Sequence, residues 1–86
     1  MFLKIDAERV IDCLREARQK LNNAEGETVL DLSSVRRIDP KAVTAMEDLL
    51  GAAEAKSIKV GLRGVNVDIY KVLKLTRLAP RFCFFT

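Results

Sequence analysis

Residues 29–43 are Val29-Leu30-Asp31-Leu32-Ser33-Ser34-Val35-Arg36-Arg37-Ile38-Asp39-Pro40-Lys41-Ala42-Val43, a pattern that predicts a strand, a loop and the start of a helix. The apolar run from Thr28 to Leu32 predicts an interior strand that is covered on both faces of its sheet. Asp39 is a residue type that caps helices, and Pro40 suits the first helical position, where an N–H would have no partner. We therefore predict a helix over residues 40–55 that begins at this proline, and we expect Val35 and Ile38 of the loop before it to point to the core. The predicted inner face of this helix consists of six apolar positions: Ala42, Val43, Met46, Leu49, Leu50 and Ala53.

The other elements follow from hydrophobic periodicity and from capping residues. We predict a helix over about residues 7–21 with Asp6 as its cap, and a third helix over residues 67–75 with Asn66 as its cap. The inner face of the third helix is predicted at Ile69, Val72 and Leu73. The alternation in residues 58–62 indicates a strand nearer a sheet edge. Residues 1–5 are predicted to form a short strand, and residues 22–26 a turn. Residues 82–85 are predicted to form a short strand or a packed tail.

Strands and helices alternate along the 86 residues, which is typical of an α/β domain with a mainly parallel sheet and right-handed crossovers. The length allows a single domain, residues 1–86. Apolar residues make up 49% of the chain, which is enough for a packed core and excludes a disordered chain.

Composition also excludes several functions. The net charge of +3 is small and the basic residues are not interleaved with aromatic ones, so we expect no nucleic-acid binding. The absence of His, with Cys13 and Cys83 as the two cysteines, predicts no metal site and no cofactor. We expect both thiols to be buried and inert. No apolar run approaches the roughly 18 residues of a membrane span, and no signal peptide is evident. We therefore predict a cytoplasmic protein without direct membrane insertion.

The candidate catalytic groups lie in the loop between the predicted strand and helix. Ser33 and Ser34 have no His to activate them, so hydrogen bonding to the loop backbone is the favoured interpretation. Asp31 and Asp39 could form a carboxylate pair for acid–base chemistry, but a loop-fixing residue and a helix cap are favoured. The loop contains no glycine to cradle a phosphate. The sequence therefore predicts that the protein is not an enzyme.

From about residue 6 to residue 82 the sequence resembles the STAS family, the domain shared by sulphate transporters and anti-sigma factor antagonists. The resemblance is carried by four stretches and their spacing: residues 29–35, Ile38-Asp39 with the helix that follows, residues 58–65 and residues 72–78. It implies a STAS-like fold, with a small mixed but mainly parallel sheet and three main helices. Family members usually begin with two strands before the first helix, so this chain resembles an N-terminally shortened member.

The resemblance implies a regulatory role. Stand-alone members bind an ATPase-fold anti-sigma kinase of the histidine-kinase type through this helix, and phosphorylation of a Ser or Thr after the aspartate breaks the complex. Asp39 matches that aspartate, and Pro40 stands where the phosphorylated residue would be, so the usual switch is absent. Substitute phosphorylation sites are left open at three hydroxyl residues: Ser33, Ser34 and Thr44.

The predicted partner-binding residues are Arg36, Arg37, Asp39, Pro40, Lys41, Val43 and Thr44. The three basic residues among them suit an acidic partner surface and would speed its encounter. The resemblance leaves a second hypothesis open, an accessory subunit that binds the ATPase of an ABC-type membrane transport complex. A single strand before the first helix would leave an exposed sheet edge, so a homodimer through that edge or through residues 82–85 is a further hypothesis.

Overall fold

The computed structural model describes residues 1–21 and 26–85, which form four strands and three helices. The strands are β1 (Phe2–Lys4), β2 (Glu27–Asp31), β3 (Lys59–Arg63) and β4 (Cys83–Phe85). The helices are α1 (Val10–Lys20), α2 (Pro40–Ala55) and α3 (Val67–Leu75), and a short 3₁₀ turn follows at Ala79–Arg81. The predicted order of elements is confirmed. Apart from Gly26, the turn predicted over residues 22–26 lies outside the described residues.

The four strands form one sheet in the order β1-β2-β3-β4, and each neighbouring pair is parallel. The register places four residues in one row across the sheet: Leu3, Leu30, Leu62 and Phe84. The predicted α/β fold with a mainly parallel sheet is confirmed, and the described strands are parallel throughout. β1 and β4 are the edge strands. β3 is an interior strand, so the prediction that it lies nearer an edge is wrong.

One face of the sheet carries the core, and the described residues leave the opposite face open. Sequential strand order with right-handed crossovers puts all three helices on the same face. Burial along the strands agrees, because Leu30 and Leu62 are fully buried whereas Lys4 and Lys59 are exposed. The prediction that β2 is covered on both faces is wrong, since Val29 points to the open face and is half-buried. The alternation of apolar and polar residues in β3 has the same cause, because successive side chains of a strand point in turn to the core and to the open face.

Helix α1 begins at Val10, later than the predicted start at residue 7. Asp6 does not cap this helix. Its Oδ1 accepts the backbone N–H of Glu8 at 2.9 Å, and its carbonyl oxygen accepts the N–H of Arg9 at 3.0 Å. These two bonds close a turn ahead of the helix, which is a common use of aspartate.

Helix α2 contributes the most buried positions of the three helices. They recur at spacings of three and four and are the inner face that the sequence predicts: Ala42, Val43, Met46, Leu49, Leu50 and Ala53. Helix α1 packs against α2, and its buried residues are Leu14 and Ala17. Among the described residues, no helix combines the length and the apolar character needed to cross a bilayer.

Helix α3 begins at Val67, as predicted. Asn66 caps it, because its Oδ1 accepts the backbone N–H of Ile69 at 2.8 Å. Ile69 and Leu73 are fully buried, which confirms the predicted inner face at these two positions.

Residues 83–85 form the edge strand β4, which confirms a short strand near this end of the sequence. Phe82 is buried just before it, and Phe84 contacts Tyr70 edge-to-face with ring centroids 5.4 Å apart. The prediction that both thiols are buried is wrong: Cys83 is exposed and Cys13 is half-buried. Cys83 is exposed because β4 lies at the sheet edge and this residue points to the open face.

Candidate functional site

The site begins at Asp31, where β2 ends. Its Oδ1 accepts the backbone N–H of Ser33 at 2.9 Å. The backbone N–H and the hydroxyl of Ser33, followed by the charges of Arg63 and Lys4, lower the pKa of Asp31, although burial acts in the opposite direction. Asp31 is therefore an anion that turns the chain out of the sheet, and its predicted role in fixing the loop is confirmed.

The loop over residues 33–38 is fixed at several points. Val35 and Ile38 are buried, as predicted, and the N–H of Val35 donates to the carbonyl oxygen of Leu32 at 2.9 Å. The side-chain amide of Asn66 donates to the carbonyl oxygens of Arg36 at 2.8 Å and Val35 at 3.3 Å. The backbone of this loop is thus held by α3 on one side and by the core on the other.

The bend after β3 packs against the same loop. Gly64 has a φ of 70°, and a Cβ at this position would lie 2.8 Å from both the backbone nitrogen and the Cα of Ser33. Both the positive φ and the close approach require glycine. The N–H of Leu32 donates to the carbonyl oxygen of Arg63 at 2.7 Å, so β2 and β3 stay hydrogen-bonded up to the start of the site.

Helix α2 starts with the cap that the sequence predicts. The Oδ1 of Asp39 accepts the backbone N–H of Ala42 at 2.7 Å. Pro40 occupies the first helical position, where no N–H is needed. The hydroxyl of Thr44 donates to the carbonyl oxygen of Pro40 at 3.1 Å. The helix start is therefore well hydrogen-bonded, and the residue after the capping aspartate has no hydroxyl.

Three cationic residues lie next to this helix start in the chain, two in the loop before it and one in its first turn. Arg36, Arg37 and Lys41 are exposed, and none of them is in an ion pair with another described residue. The first turn of α2 contains no acidic residue. Lys41 therefore places a cation at the positive end of the helix dipole, where the capping carboxylate of Asp39 is the favourable charge. A cation at this position does not stabilise the helix, so its presence points to a function other than stabilising the fold.

Two open grooves flank the start of α2. The larger, of about 460 Å³, lies between the starts of α1 and α2 and is lined by residues 7–12 and by Arg37, Ile38, Asp39 and Ala42. The smaller, of about 310 Å³, lies between the two helices and reaches Lys41 and Thr44. Within residues 1–21 and 26–85, no cluster of His, Cys, Asp or Glu could hold a metal ion.

Most of the predicted partner-binding residues lie together at the carboxyl end of the sheet. Six of them are exposed around the start of α2: Arg36, Arg37, Asp39, Pro40, Lys41 and Thr44. Val43 faces the core with only 8% of its surface exposed, so it holds the helix in place and offers a partner little area. Ser33 and Ser34 are exposed in the adjoining loop.

Sequence reasoning identified Asn66 as a cap but missed its second contact, with the loop before α2. That contact joins residues 30 positions apart in the chain, and no local pattern encodes it. The close approach of Gly64 to Ser33 was missed for the same reason, although a glycine directly after a strand is a signal for a positive φ.

The fold and the capped strand–loop–helix junction define a small α/β domain with helices on one face of a parallel sheet. The family model described as STAS domain matches residues 4–86. The chain therefore belongs to the STAS domain family. A comparison with curated proteins gives no match.

A solved structure with the same fold is that of a Thermotoga maritima protein assigned as an anti-sigma factor antagonist. The two structures superpose with a TM-score of 0.78 at 20% sequence identity, over 98% of this chain and 73% of that chain. At this identity the match concerns the fold, and it confirms the STAS-like architecture that the sequence predicts.

Proposed function

We propose that this chain is a non-catalytic regulatory module that binds a protein partner through the start of α2. The observation that carries the proposal is the helix start itself, where Asp39 and Pro40 form a complete cap beneath exposed cationic side chains. In the antagonists that the sequence resembles, the position of Pro40 carries the residue that is phosphorylated. This chain would keep the docking surface and lack the usual covalent switch.

The partner that we propose is an anti-sigma kinase of the histidine-kinase type with an acidic docking surface. Arg36, Arg37 and Lys41 have no ion-pair partner among the described residues, so the complementary charges would come from the partner. Three like charges at one site steer association and make it depend on salt. Such a kinase uses ATP in the cytoplasm, and we place this chain in the same compartment.

The module would perform no chemistry of its own. Ser33 and Ser34 have no imidazole to accept a proton, because the chain contains no His. Asp31 is the carboxylate nearest to them along the chain, and its lowered pKa makes it a weaker base than an ordinary aspartate.

If a covalent switch operated in place of the missing one, its acceptor would have to be another hydroxyl group near the site. Ser33, Ser34 and Thr44 are all exposed. A phosphoryl group on Ser33 would place a second anion beside Asp31, which already accepts a hydrogen bond from the Ser33 backbone. Ser34 and Thr44 are therefore the better acceptors on electrostatic grounds.

The test is a calorimetric titration of the full chain against two purified proteins, a histidine-kinase-type ATPase and an ABC-type transporter ATPase of the same organism. We expect binding to the first, weakened by about tenfold or more when Arg36, Arg37 and Lys41 are all replaced by Glu. Lys71→Glu, which reverses an exposed charge on α3, is the matched control and should bind like the wild type. Binding to the transporter ATPase alone would favour the accessory subunit, and binding to neither would contradict the proposal.

A further inference from the structure

The described residues leave the face of the sheet opposite the helices uncovered across all four strands, and the proposed docking at α2 does not use it. Parallel sheets are found almost exclusively with both faces covered. Side chains on this face are exposed at Phe2, Lys4, Lys59 and Arg63, and half-buried at Val29. In a single isolated copy of this chain, the described residues therefore leave this face of the sheet without a covering layer.

An apolar row crosses the middle of this face. Phe2, Val29, Gly61 and Cys83 are aligned by the strand register. The ring of Phe85 lies over Gly61, because a Cβ at that glycine would meet the ring. Phe2 is 55% exposed and Phe85 is 43% exposed, so both rings present apolar surface to solvent.

Two charged rows flank the apolar row. On the amino-terminal side, Glu27 of β2 is paired in register with Lys59 of β3. On the carboxyl-terminal side, Lys4, Asp31 and Arg63 are aligned across three strands. The same order of signs, negative on β2 and positive on β3, thus occurs on both sides of the apolar row.

We propose that a second copy of this chain covers the open face, with a two-fold axis that runs along the strands between β2 and β3. This operation lays β2 of one copy over β3 of the other. Glu27 then lies opposite Lys59 of the second copy, and Asp31 lies opposite Arg63 of the second copy. The apolar rows meet between them, with Phe2 opposite Cys83, at the spacing of about 10 Å that is typical of packed sheets.

The charge pattern selects this axis over the other two-fold arrangement of stacked faces. An axis across the strands would lay β2 over β2 and reverse the rows. Glu27 would then lie opposite Asp31, and Lys59 would lie opposite Arg63, which places like charges together on both sides of the apolar row. Like charges across an interface oppose association, so the axis along the strands is favoured.

The size of the face sets the strength that we expect. Four strands about 4.8 Å apart and five residues of about 3.3 Å each give a face of roughly 19 by 17 Å. This is smaller than the roughly 800 Å² that each partner buries in a typical stable interface. The dimer is therefore a weak one that forms at micromolar to millimolar chain concentrations.

The test is sedimentation velocity of the full chain over that concentration range, with a reducing agent present. Glu27→Lys and Lys59→Glu are measured separately and then mixed, and Lys71→Glu is the control. We expect each single variant to associate about tenfold more weakly than the wild type. The mixture should recover wild-type association by forming a heterodimer of the two variants. In that heterodimer, position 27 of each copy carries the charge opposite to that of position 59 in the other copy. Both variants lose the same pairing within a protomer, so only contact between copies explains recovery.

Three results would overturn this arrangement. One is a chain that stays monomeric up to millimolar concentration. Another is self-association that neither substitution changes, which would put the contact elsewhere, as at the edge of β1 or β4. The third is stronger association of Glu27→Lys, which would select the axis across the strands. Circular dichroism of each variant checks that the fold is intact.

Discussion

The side-chain amide of Asn66 donates a hydrogen bond to the carbonyl oxygen of Arg36 at 2.8 Å, so the residue that caps α3 also holds the loop that leads into α2. Asn66→Ser keeps an oxygen that can cap and removes the amide donor, and we expect it to lower the free energy of unfolding by about 1 kcal/mol. Asn66→Ala loses the cap as well, at a further cost of about 1 kcal/mol. Urea unfolding measures both steps, and a Ser variant as stable as the wild type would show that the contact with Arg36 contributes nothing.

Gly64 contacts the candidate site more closely than any side chain could. Gly64→Ala combines a positive φ with a Cβ only 2.8 Å from the backbone of Ser33, so we expect it to cost about 2–4 kcal/mol of unfolding free energy. Gly26 is the matched control, because its φ is 78° and no described atom lies within 4 Å of its Cβ position. Gly26→Ala should cost only the backbone term, about 1–2 kcal/mol. Equal losses in thermal or urea unfolding would mean that the approach to Ser33 is unimportant.

Asp31 links stability to pH. Its pKa is lower in the folded chain than in the unfolded one, chiefly through the hydrogen bonds from Ser33. Its contribution is therefore complete above about pH 4, where the unfolded carboxyl ionises, and is lost as the pH falls through the folded pKa.

Asp31→Asn isolates this effect, because the amide oxygen can still accept from Ser33 but does not titrate. We expect the wild type to be the more stable of the two at pH 6, and the difference to shrink as the pH is lowered from 5 towards 2. Urea unfolding at a series of pH values measures it. A difference that stays constant over that range would contradict the assigned cause.

Lys41 should affect stability and binding in opposite directions. Glu at this position would complement the helix dipole that Lys41 opposes, so we expect Lys41→Glu to raise the free energy of unfolding by about 0.3–1 kcal/mol. The same variant should bind the proposed acidic partner more weakly, with a smaller dependence on salt. Thermal unfolding and calorimetric titration of one sample measure the two effects. A destabilised variant would contradict the assigned effect of Lys41 on the helix dipole. A variant that binds as well as the wild type would contradict its proposed role in partner binding.

Much of the fold could be predicted from local patterns in the sequence. The inner face of α2 was predicted residue by residue, since apolar residues at helical spacing must face one side. Asp39 and Asn66 were correctly predicted as caps, because a short polar side chain before an apolar helix has few other uses. Asp6 has the same chemistry but closes a turn instead, and the two outcomes look alike in sequence.

Features that depend on strand order were not predictable. A short apolar run such as β2 has the same appearance whether one or both of its faces are covered. Only the order β1-β2-β3-β4 shows that the helices share one face and that Val29 points away from them. The exposure of Cys83 and the contact of Asn66 with Arg36 also depend on which segments become neighbours in the sheet.

The most direct test of docking without a covalent switch compares wild type and Pro40→Ser in one binding experiment. Each chain is incubated with the kinase and ATP, its intact mass is recorded, and its affinity for the kinase is measured before and after. We predict that wild type gains no phosphoryl group and keeps its affinity, whereas Pro40→Ser gains one and loses affinity. Wild type that becomes phosphorylated and dissociates would contradict the account, because a switch would then operate through another hydroxyl of the chain.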